Sequence, residues 1–209
     1  MDLTKADHLV LGAPALNEGI DHAEKILGVR PGIGGRHPQY GTHNAIVAFD
    51  DHVYLEIIAP DPDLPPPPEG VLWDLDAIRE PRLISWAVQT DRIAGLAKAA
   101  REAGLTVGAV TEGARATPDG ALLKWRLTNP RSATLDTAVP FLIDWGDTAH
   151  PAELAPKAGS LTGLRIEHPR SDMLQHAFAA LRLPAEIMRA KDPAIIATIK
   201  TPNGVAELR

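Results

Sequence analysis

Cysteine is absent from the 209-residue sequence, which excludes disulfide bonds, zinc sites built on thiolates and cysteine nucleophiles. Positive charge is not in excess, since the formal net charge of -6 leaves no basic surface for nucleic acid. No apolar run approaches the length of a membrane span, and the first residues, MDLTKADH, lack the basic and apolar regions of a signal peptide. We therefore expect a cytoplasmic protein that binds a small-molecule substrate rather than nucleic acid or a membrane.

Of all residues in the sequence, 44% are hydrophobic, which is enough to form the core of a single compact domain. Its 19 prolines and 17 glycines follow no period, which predicts many short elements separated by turns. The one biased segment, APDPDLPPPPEG at residues 59–70, favours an extended polyproline conformation. It predicts a stiff connector.

One pattern occurs three times along the chain: a short apolar strand, a polar turn and an amphipathic helix. The strands are HLVLGAP, ISWAVQT and LTGLRIEHP, and aligning them places Leu9, Trp86 and Leu164 in register. Apolar residues recur in each helix at steps of three and four. Strand-rich stretches follow each helix, with turn signals such as Asn203-Gly204 between apolar strands.

These repeats predict an α+β fold with a mainly antiparallel sheet and helices on the outside. The first module covers residues 1–70 and the second covers residues 71–155. A third, shorter βαβ-like module covers residues 156–209. We expect the three to form one domain.

Several longer strings carry a family resemblance: DHLVLGAPALNEGI, VYLEIIAPDP, GGRHPQYGTHNAIVAF, DGALLKWRL, PFLIDWGDTAHPA and LTGLRIEHP. Together they resemble the glyoxalase-like domain group of the vicinal oxygen chelate superfamily, which includes glyoxalases, bleomycin-resistance proteins and dioxygenases. The resemblance implies tandem βαβββ modules that form a curved sheet around a cup. It also implies a divalent metal ion on inward-facing side chains near the strand ends.

His8 and Glu56 are the first candidates for that metal site. His8 lies in the first strand, and Glu56 lies among apolar residues in VYLEIIAP, where a carboxylate needs a cation, a donor or water. The resemblance implies that these two positions supply metal ligands. Glu56, the predicted catalytic residue, or a metal-bound water is expected to move the substrate proton. The alternative is that His8 bonds a backbone carbonyl and Glu56 faces solvent.

The second module departs from the superfamily pattern, because Ser85 stands where His8 has its counterpart. This departure counts against extradiol ring cleavage, which uses a second histidine, and against glyoxalase I, which has glutamate or histidine there. Asp144 roughly matches Glu56 and is the third predicted ligand, although it could equally cap a turn at the end of its strand. A His, Glu and Asp set suits Zn, Mn, Fe, Ni or Mg.

The predicted substrate-binding residues are Arg36, His37, His43 and Trp86. The first three lie in the polar stretch GGRHPQYGTHN, which we expect at the mouth of the cup, and Arg36 suits a carboxylate or enolate. His43 is also an alternative metal ligand. Trp86 is expected as an apolar wall at the cup floor. The alternative for the polar stretch is an ordinary solvated surface loop.

The leading functional hypothesis is a metal-dependent lyase or isomerase that chelates two neighbouring oxygens of a small substrate. The competing hypothesis is a metal-free protein that binds or sequesters a small molecule, as bleomycin-resistance proteins do. The missing ligand at Ser85 favours the second hypothesis. A homodimer is left open by the resemblance.

Overall fold

The structure is a computed structural model, and it describes residues 6–50, 52–116, 120, 122–132 and 138–209. The first unit contains β1 (Ala6–Gly12), α1 (Leu16–Leu27), β2 (Gly32–His37), β3 (Thr42–Ala48) and β4 (Tyr54–Pro60). The second contains β5 (Arg82–Gln89), α2 (Ile93–Glu102), β6 (Val110–Ala116), β7 (Leu122–Thr128) and β8 (Phe141–Asp144). The third contains β9 (Ser160–His168), α3 (Ser171–Leu181), β10 (Glu186–Arg189), β11 (Ala194–Thr201) and β12 (Gly204–Leu208).

The first two units share an eight-stranded sheet with the strand order β2-β3-β4-β1-β5-β8-β7-β6. In each unit the first and last strands pair in parallel, and the two units meet where β1 pairs with β5 in antiparallel fashion. Leu9 lies opposite Trp86 at this junction. The sheet curves until its edge strands β2 and β6 approach each other, so it is nearly closed. The predicted α+β fold with curved βαβββ modules is confirmed.

The third unit forms a separate four-stranded sheet with the order β10-β9-β11-β12. Its β9, α3 and β10 form a βαβ arrangement, because β9 and β10 pair in parallel. This sheet packs on the convex side of the larger one, where it contacts β5 and α1.

Strand alternation gives the larger sheet two apolar faces. On β1, Leu9 and Leu11 face the helices and the smaller sheet, where they belong to the main core. Val10, on the opposite face, belongs to a second apolar cluster on the concave side, together with Tyr54 and Phe141. The helices cover the convex face because each has one apolar side. In α1 this side consists of the buried residues Leu16, Ile20, Ala23 and Leu27. The concave side remains for a site.

Within the described part of the chain, no helix is long and apolar enough to cross a membrane.

Candidate active site

The concave face of the larger sheet encloses a cavity of about 560 Å³, counting the space at its open mouth. Its walls are largely aromatic, formed by Tyr40, Tyr54, Trp73, Trp125, Phe141 and Trp145. Its polar residues are His8, His37, Asn44, Glu56 and Arg115. A few polar groups in an apolar cavity are typical of sites for small molecules.

His8 enters the cavity from β1 and is almost fully buried. Its ring stacks on Tyr54, with the ring centroids 4.6 Å apart. Its Nδ1 lies 2.5 Å from Oδ1 of Asp7, and its Nε2 lies 3.8 Å from Oε2 of Glu56. The pairing of β1 with β5 shifts register between Ala6 and His8, so Asp7 occupies a bulge beside the imidazole. Because a carboxylate only accepts, Nδ1 donates to Asp7 and Nε2 is left for the cavity.

Asp7 is itself held by three donors. Besides His8, it accepts from Nε1 of Trp145 at 2.9 Å and from Nε2 of His150 at 3.1 Å. His150 must donate through Nε2, because its Nδ1 accepts the backbone N–H of Ala152. Burial raises the pKa of Asp7, but the hydrogen bonds and charges of His150 and His8 outweigh burial and lower it to about 2. Asp7 therefore stays ionised and fixes the orientation of His8.

Glu56 lies on β4 with a side chain 12% exposed. Its Oε1 accepts a hydrogen bond of 2.6 Å from Nδ2 of Asn44 on the neighbouring strand β3. The amide of Asn44 is oriented in turn, because its Oδ1 accepts the backbone N–H of Gly35 at 2.7 Å. Both His8 and Glu56 are thus held by a hydrogen-bonding partner on the side away from the other.

His37 and Arg115 come from the two edge strands, β2 and β6, which the near closure of the sheet brings together. His37 is buried, with Nδ1 3.3 Å from Oγ1 of Thr42, and burial lowers its pKa. Arg115 is 9% exposed, and its Nη1 is buried without a hydrogen-bond partner in the described part of the protein. A guanidinium nitrogen without an acceptor in an apolar cavity is unusual, since buried polar groups are normally hydrogen-bonded.

The sequence model of the glyoxalase-like domain matches residues 6–182. The chain belongs to this glyoxalase-like family. Its curved sheet of paired modules places it in the vicinal oxygen chelate superfamily. No curated protein matches the sequence of this glyoxalase-like protein.

Several solved structures have a similar fold. A hypothetical protein from Staphylococcus aureus matches over 98% of both chains, with a TM-score of 0.67 and 12% identity. A mutant of 4-hydroxymandelate synthase from Streptomyces coelicolor matches 98% of this chain and 62% of its own, with a TM-score of 0.51 and 15% identity. Methylmalonyl-CoA epimerase from Mycobacterium tuberculosis matches over 68% of this chain and 89% of its own, with a TM-score of 0.45 and 16% identity. At 12% and 15% identity, the first two likenesses show a shared fold alone and transfer no activity.

The structure brings together two of the three predicted metal ligands of the glyoxalase-like protein. His8 and Glu56 share the cavity, but Asp144 faces the other side of β8, because Ile143 and Trp145 on either side of it line the cavity. Asp144 forms an ion pair with Arg126 and accepts the backbone N–H of Gly146 at 2.9 Å. Asp144 therefore caps a turn at the end of its strand, which was the alternative prediction for this residue.

The donor set does not fit a metal site with three protein ligands. Among the described residues, no three His, Asp or Glu side chains converge to hold an ion. The cavity also contains the permanent positive charge of Arg115, which opposes a second cation nearby. Nε2 of His8 and Oε2 of Glu56, 3.8 Å apart, supply two candidate ligand atoms.

The predicted substrate-binding residues are separated by the fold. His37 lines the cavity, but Arg36, one residue earlier on β2, is half exposed and pairs with Asp61 and Asp63 instead. His43 lies opposite Arg36 in the sheet and does not line the cavity; burial lowers its pKa. Of the three predicted residues in the polar stretch, His37 alone lines the cavity, and two residues of the stretch that were not predicted, Tyr40 and Asn44, line it as well.

Trp86 does not line the cavity of the glyoxalase-like protein, because it points to the convex side of β5. It is completely buried in the main core, and its ring lies 6.1 Å from that of Phe178 on α3. Its Nε1 donates to the backbone oxygen of Ala138 at 3.2 Å. The predicted cup floor is formed instead by the concave-side aromatic residues Phe141 and Trp145.

The proline-rich connector contributes a wall that sequence patterns did not predict. It leads into a 3₁₀ turn at Leu72–Ala77, where Trp73 has a positive φ of 55° and lines the cavity. Arg131 fixes the connector by donating to the backbone oxygens of Gly70 at 2.6 Å and Val71 at 3.4 Å. The connector thus positions an aromatic ring over the site.

Proposed function

We propose that this glyoxalase-like protein is an isomerase or lyase that moves a proton on a small substrate, with Glu56 and His8 as the acid–base pair. The observation that carries the proposal is the 3.8 Å separation between Nε2 of His8 and Oε2 of Glu56 inside an apolar cavity. Each group is oriented from behind, His8 by Asp7 and Glu56 by Asn44. General acid–base catalysis requires groups that are positioned in this way.

The two groups have complementary roles in such a reaction. The ionised carboxylate of Glu56 removes a proton from the substrate carbon next to a carbonyl group. His8, with Nδ1 bound to Asp7, presents Nε2 to the carbonyl oxygen, and in its protonated form donates a proton to the enolate that develops there. In an isomerisation, Glu56 returns its proton to the carbon and the enol oxygen returns its proton to His8. In an elimination, the enol oxygen returns its proton to His8 while a neighbouring group leaves with the electron pair and takes the proton held by Glu56.

A second candidate is the same class of reaction with a divalent ion, Zn, Mn, Fe, Ni or Mg, bound by His8 and Glu56. Its support is that Nε2 of His8 and Oε2 of Glu56, 3.8 Å apart in the cavity, are atom types that would hold such an ion. Two protein ligands are fewer than the three of most catalytic zinc sites, so this candidate ranks second. Lewis-acid polarisation of the substrate oxygens is the chemistry that such an ion supplies.

The test is proton exchange in deuterated water, followed by nuclear magnetic resonance on small 2-oxo acids, 2-hydroxy ketones and thiol adducts of 2-oxoaldehydes. We expect the wild-type protein to exchange the proton next to the carbonyl group in at least one compound. Glu56→Gln is expected to slow the exchange about a hundredfold. Asp144→Asn is the matched control, because this carboxylate lies on the other face of the sheet, and it should leave the exchange unchanged.

Four outcomes distinguish the candidate functions. Exchange that survives exhaustive treatment with chelator supports the acid–base pair alone, and exchange that is lost and restored by one divalent ion supports the second candidate. Equal exchange by wild-type protein and Glu56→Gln overturns both. Tight binding of a compound without any exchange by the wild-type protein favours the metal-free binding protein instead.

A further inference from the structure

We propose that the ligand of the cavity carries a carboxylate that pairs with Arg115, joined to a flat or extended apolar group that packs against the tryptophan walls. The inference rests on the proposed function only in taking this cavity as the substrate site. It names the substrate class, which the acid–base pair leaves open.

Arg115 brings a positive charge to the cavity, and one of its guanidinium nitrogens has no acceptor among the described residues. The residue is 9% exposed, and its Nη1 is buried without a hydrogen-bond acceptor among the described residues. Glu56 lines the same cavity, but its contacts are with Asn44 and His8. A guanidinium stays protonated at every physiological pH, so the described residues leave a buried, positively charged donor without an acceptor. A ligand anion would supply that acceptor.

The guanidinium geometry favours a carboxylate as the anion. Its planar fork of N–H donors matches the two oxygens of a carboxylate and can form two parallel hydrogen bonds. The apolar surroundings strengthen such a pair, because electrostatic attraction grows as the local dielectric constant falls. The carboxylate of Glu56 repels a ligand anion, so the anionic end should lie at Arg115 and leave the rest of the ligand toward Glu56 and His8.

The walls indicate the other half of the ligand. Trp125 and Trp145 have ring centroids 5.6 Å apart, and Trp73 approaches Phe141 at 6.1 Å from the connector side. Gly113 permits this arrangement, because a Cβ at that position would lie 2.3 Å from Nε1 of Trp125. Flat apolar surfaces of this kind bind aromatic or extended apolar groups.

The test measures binding without turnover. Calorimetric titrations compare benzoate, phenylacetate and hexanoate with their neutral amides, which have nearly the same shape. For the wild-type protein we expect at least one acid to bind about tenfold more tightly than its amide, and Arg115→Met to abolish this preference. Arg126→Met is the matched control, since this arginine pairs with Asp144 on the outer face, and it should retain the preference.

A second measurement does not depend on the choice of ligand. Removing an unpaired buried charge should raise the melting temperature of the ligand-free Arg115→Met protein, whereas removing a structural arginine lowers it. The inference is overturned if none of the three acids is preferred over its amide, if Arg115→Met retains a preference, or if its melting temperature falls. Glu56→Gln should keep the acid preference, so a failure of proton exchange with an intact preference refutes the proposed function alone.

Discussion

The stability of this protein should depend on the ionisation of Asp7, a carboxylate with three hydrogen-bond donors and no exposure to solvent. Burial by itself raises the pKa of this group, but the bonds and charges of His150 and His8 lower it from 3.8 to about 2. Because each pKa unit corresponds to about 1.4 kcal/mol, this difference amounts to about 2 kcal/mol of folding stability. The group is fully buried, so solvent screening does not reduce this figure.

The sign follows from which state takes up the proton first. The pKa of Asp7 is lower in the folded state, so the unfolded chain is protonated first as the pH falls. The stabilisation is complete well above pH 3.8 and is lost as the pH falls from there through about 2. Asp7→Asn removes the ionisable group. The amide N–H₂ of the asparagine can only donate, so it clashes with the N–H donors of His8, Trp145 and His150 that surround this position. We expect this substitution to lower the free energy of unfolding by about 3 kcal/mol at pH 7.

The assay is urea unfolding of wild-type protein and Asp7→Asn at several pH values between 2 and 7. The difference in unfolding free energy should be constant from pH 7 to pH 5 and should shrink by about 2 kcal/mol as the pH reaches 2. Asp91→Asn is the control, because this carboxylate is almost fully exposed and should show no such trend. A difference for Asp7→Asn that stays constant to pH 2 would refute the argument.

Three further changes test other parts of the structure. Trp86→Ala should lower the free energy of unfolding by about 4 kcal/mol in urea titrations; a small loss of stability with a large loss of ligand affinity would place Trp86 in the cavity after all. Gly113→Ala should displace the indole of Trp125 and weaken the binding of aromatic acids in calorimetry, and unchanged affinity would contradict the close contact. Burial keeps the pKa of His37 below its usual 6.5, so the unfolded chain is protonated first and stability falls as the pH drops below 6.5. His37→Gln should remove that part of the pH dependence in urea titrations, and an unaltered profile would exclude His37 as its source.

The convergence of His8 and Glu56 has a simple structural origin in the pairing of β1 with β4. These strands run in parallel with His8 opposite Tyr54, so Glu56 lies two residues further along on the same face. The resemblance to a known family predicted this meeting, because the two residues are far apart in sequence and no local pattern joins them. Asp7 is next to His8 in sequence, but no sequence pattern predicted that it orients the imidazole.

The alternation of side chains along a strand could not show which face of β5 or β8 meets the cavity. In β5 the six residues from Leu83 to Val88 are all buried, so the strand has apolar residues on both faces and its sequence does not show which face meets the cavity. A predicted facing that is wrong by one residue places every side chain of the strand on the wrong face. For this reason Trp86 and Asp144 were expected in the site but lie on the other side of the sheet. Arg115 was missed for another reason, since it lies on an edge strand that reaches the cavity only because the sheet nearly closes.

The sequence by itself determined the strand and helix pattern, the repeated units and the α+β class, because these depend on periods of two and 3.6 residues and on turn residues that act within a few positions. Tertiary structure decided which charges share the cavity. The guanidinium of Arg115 and the carboxylate of Glu56 come from different units, and only the curvature of the shared sheet brings them to one apolar space. Curvature is a property of all eight strands together, and no single stretch of sequence encodes it.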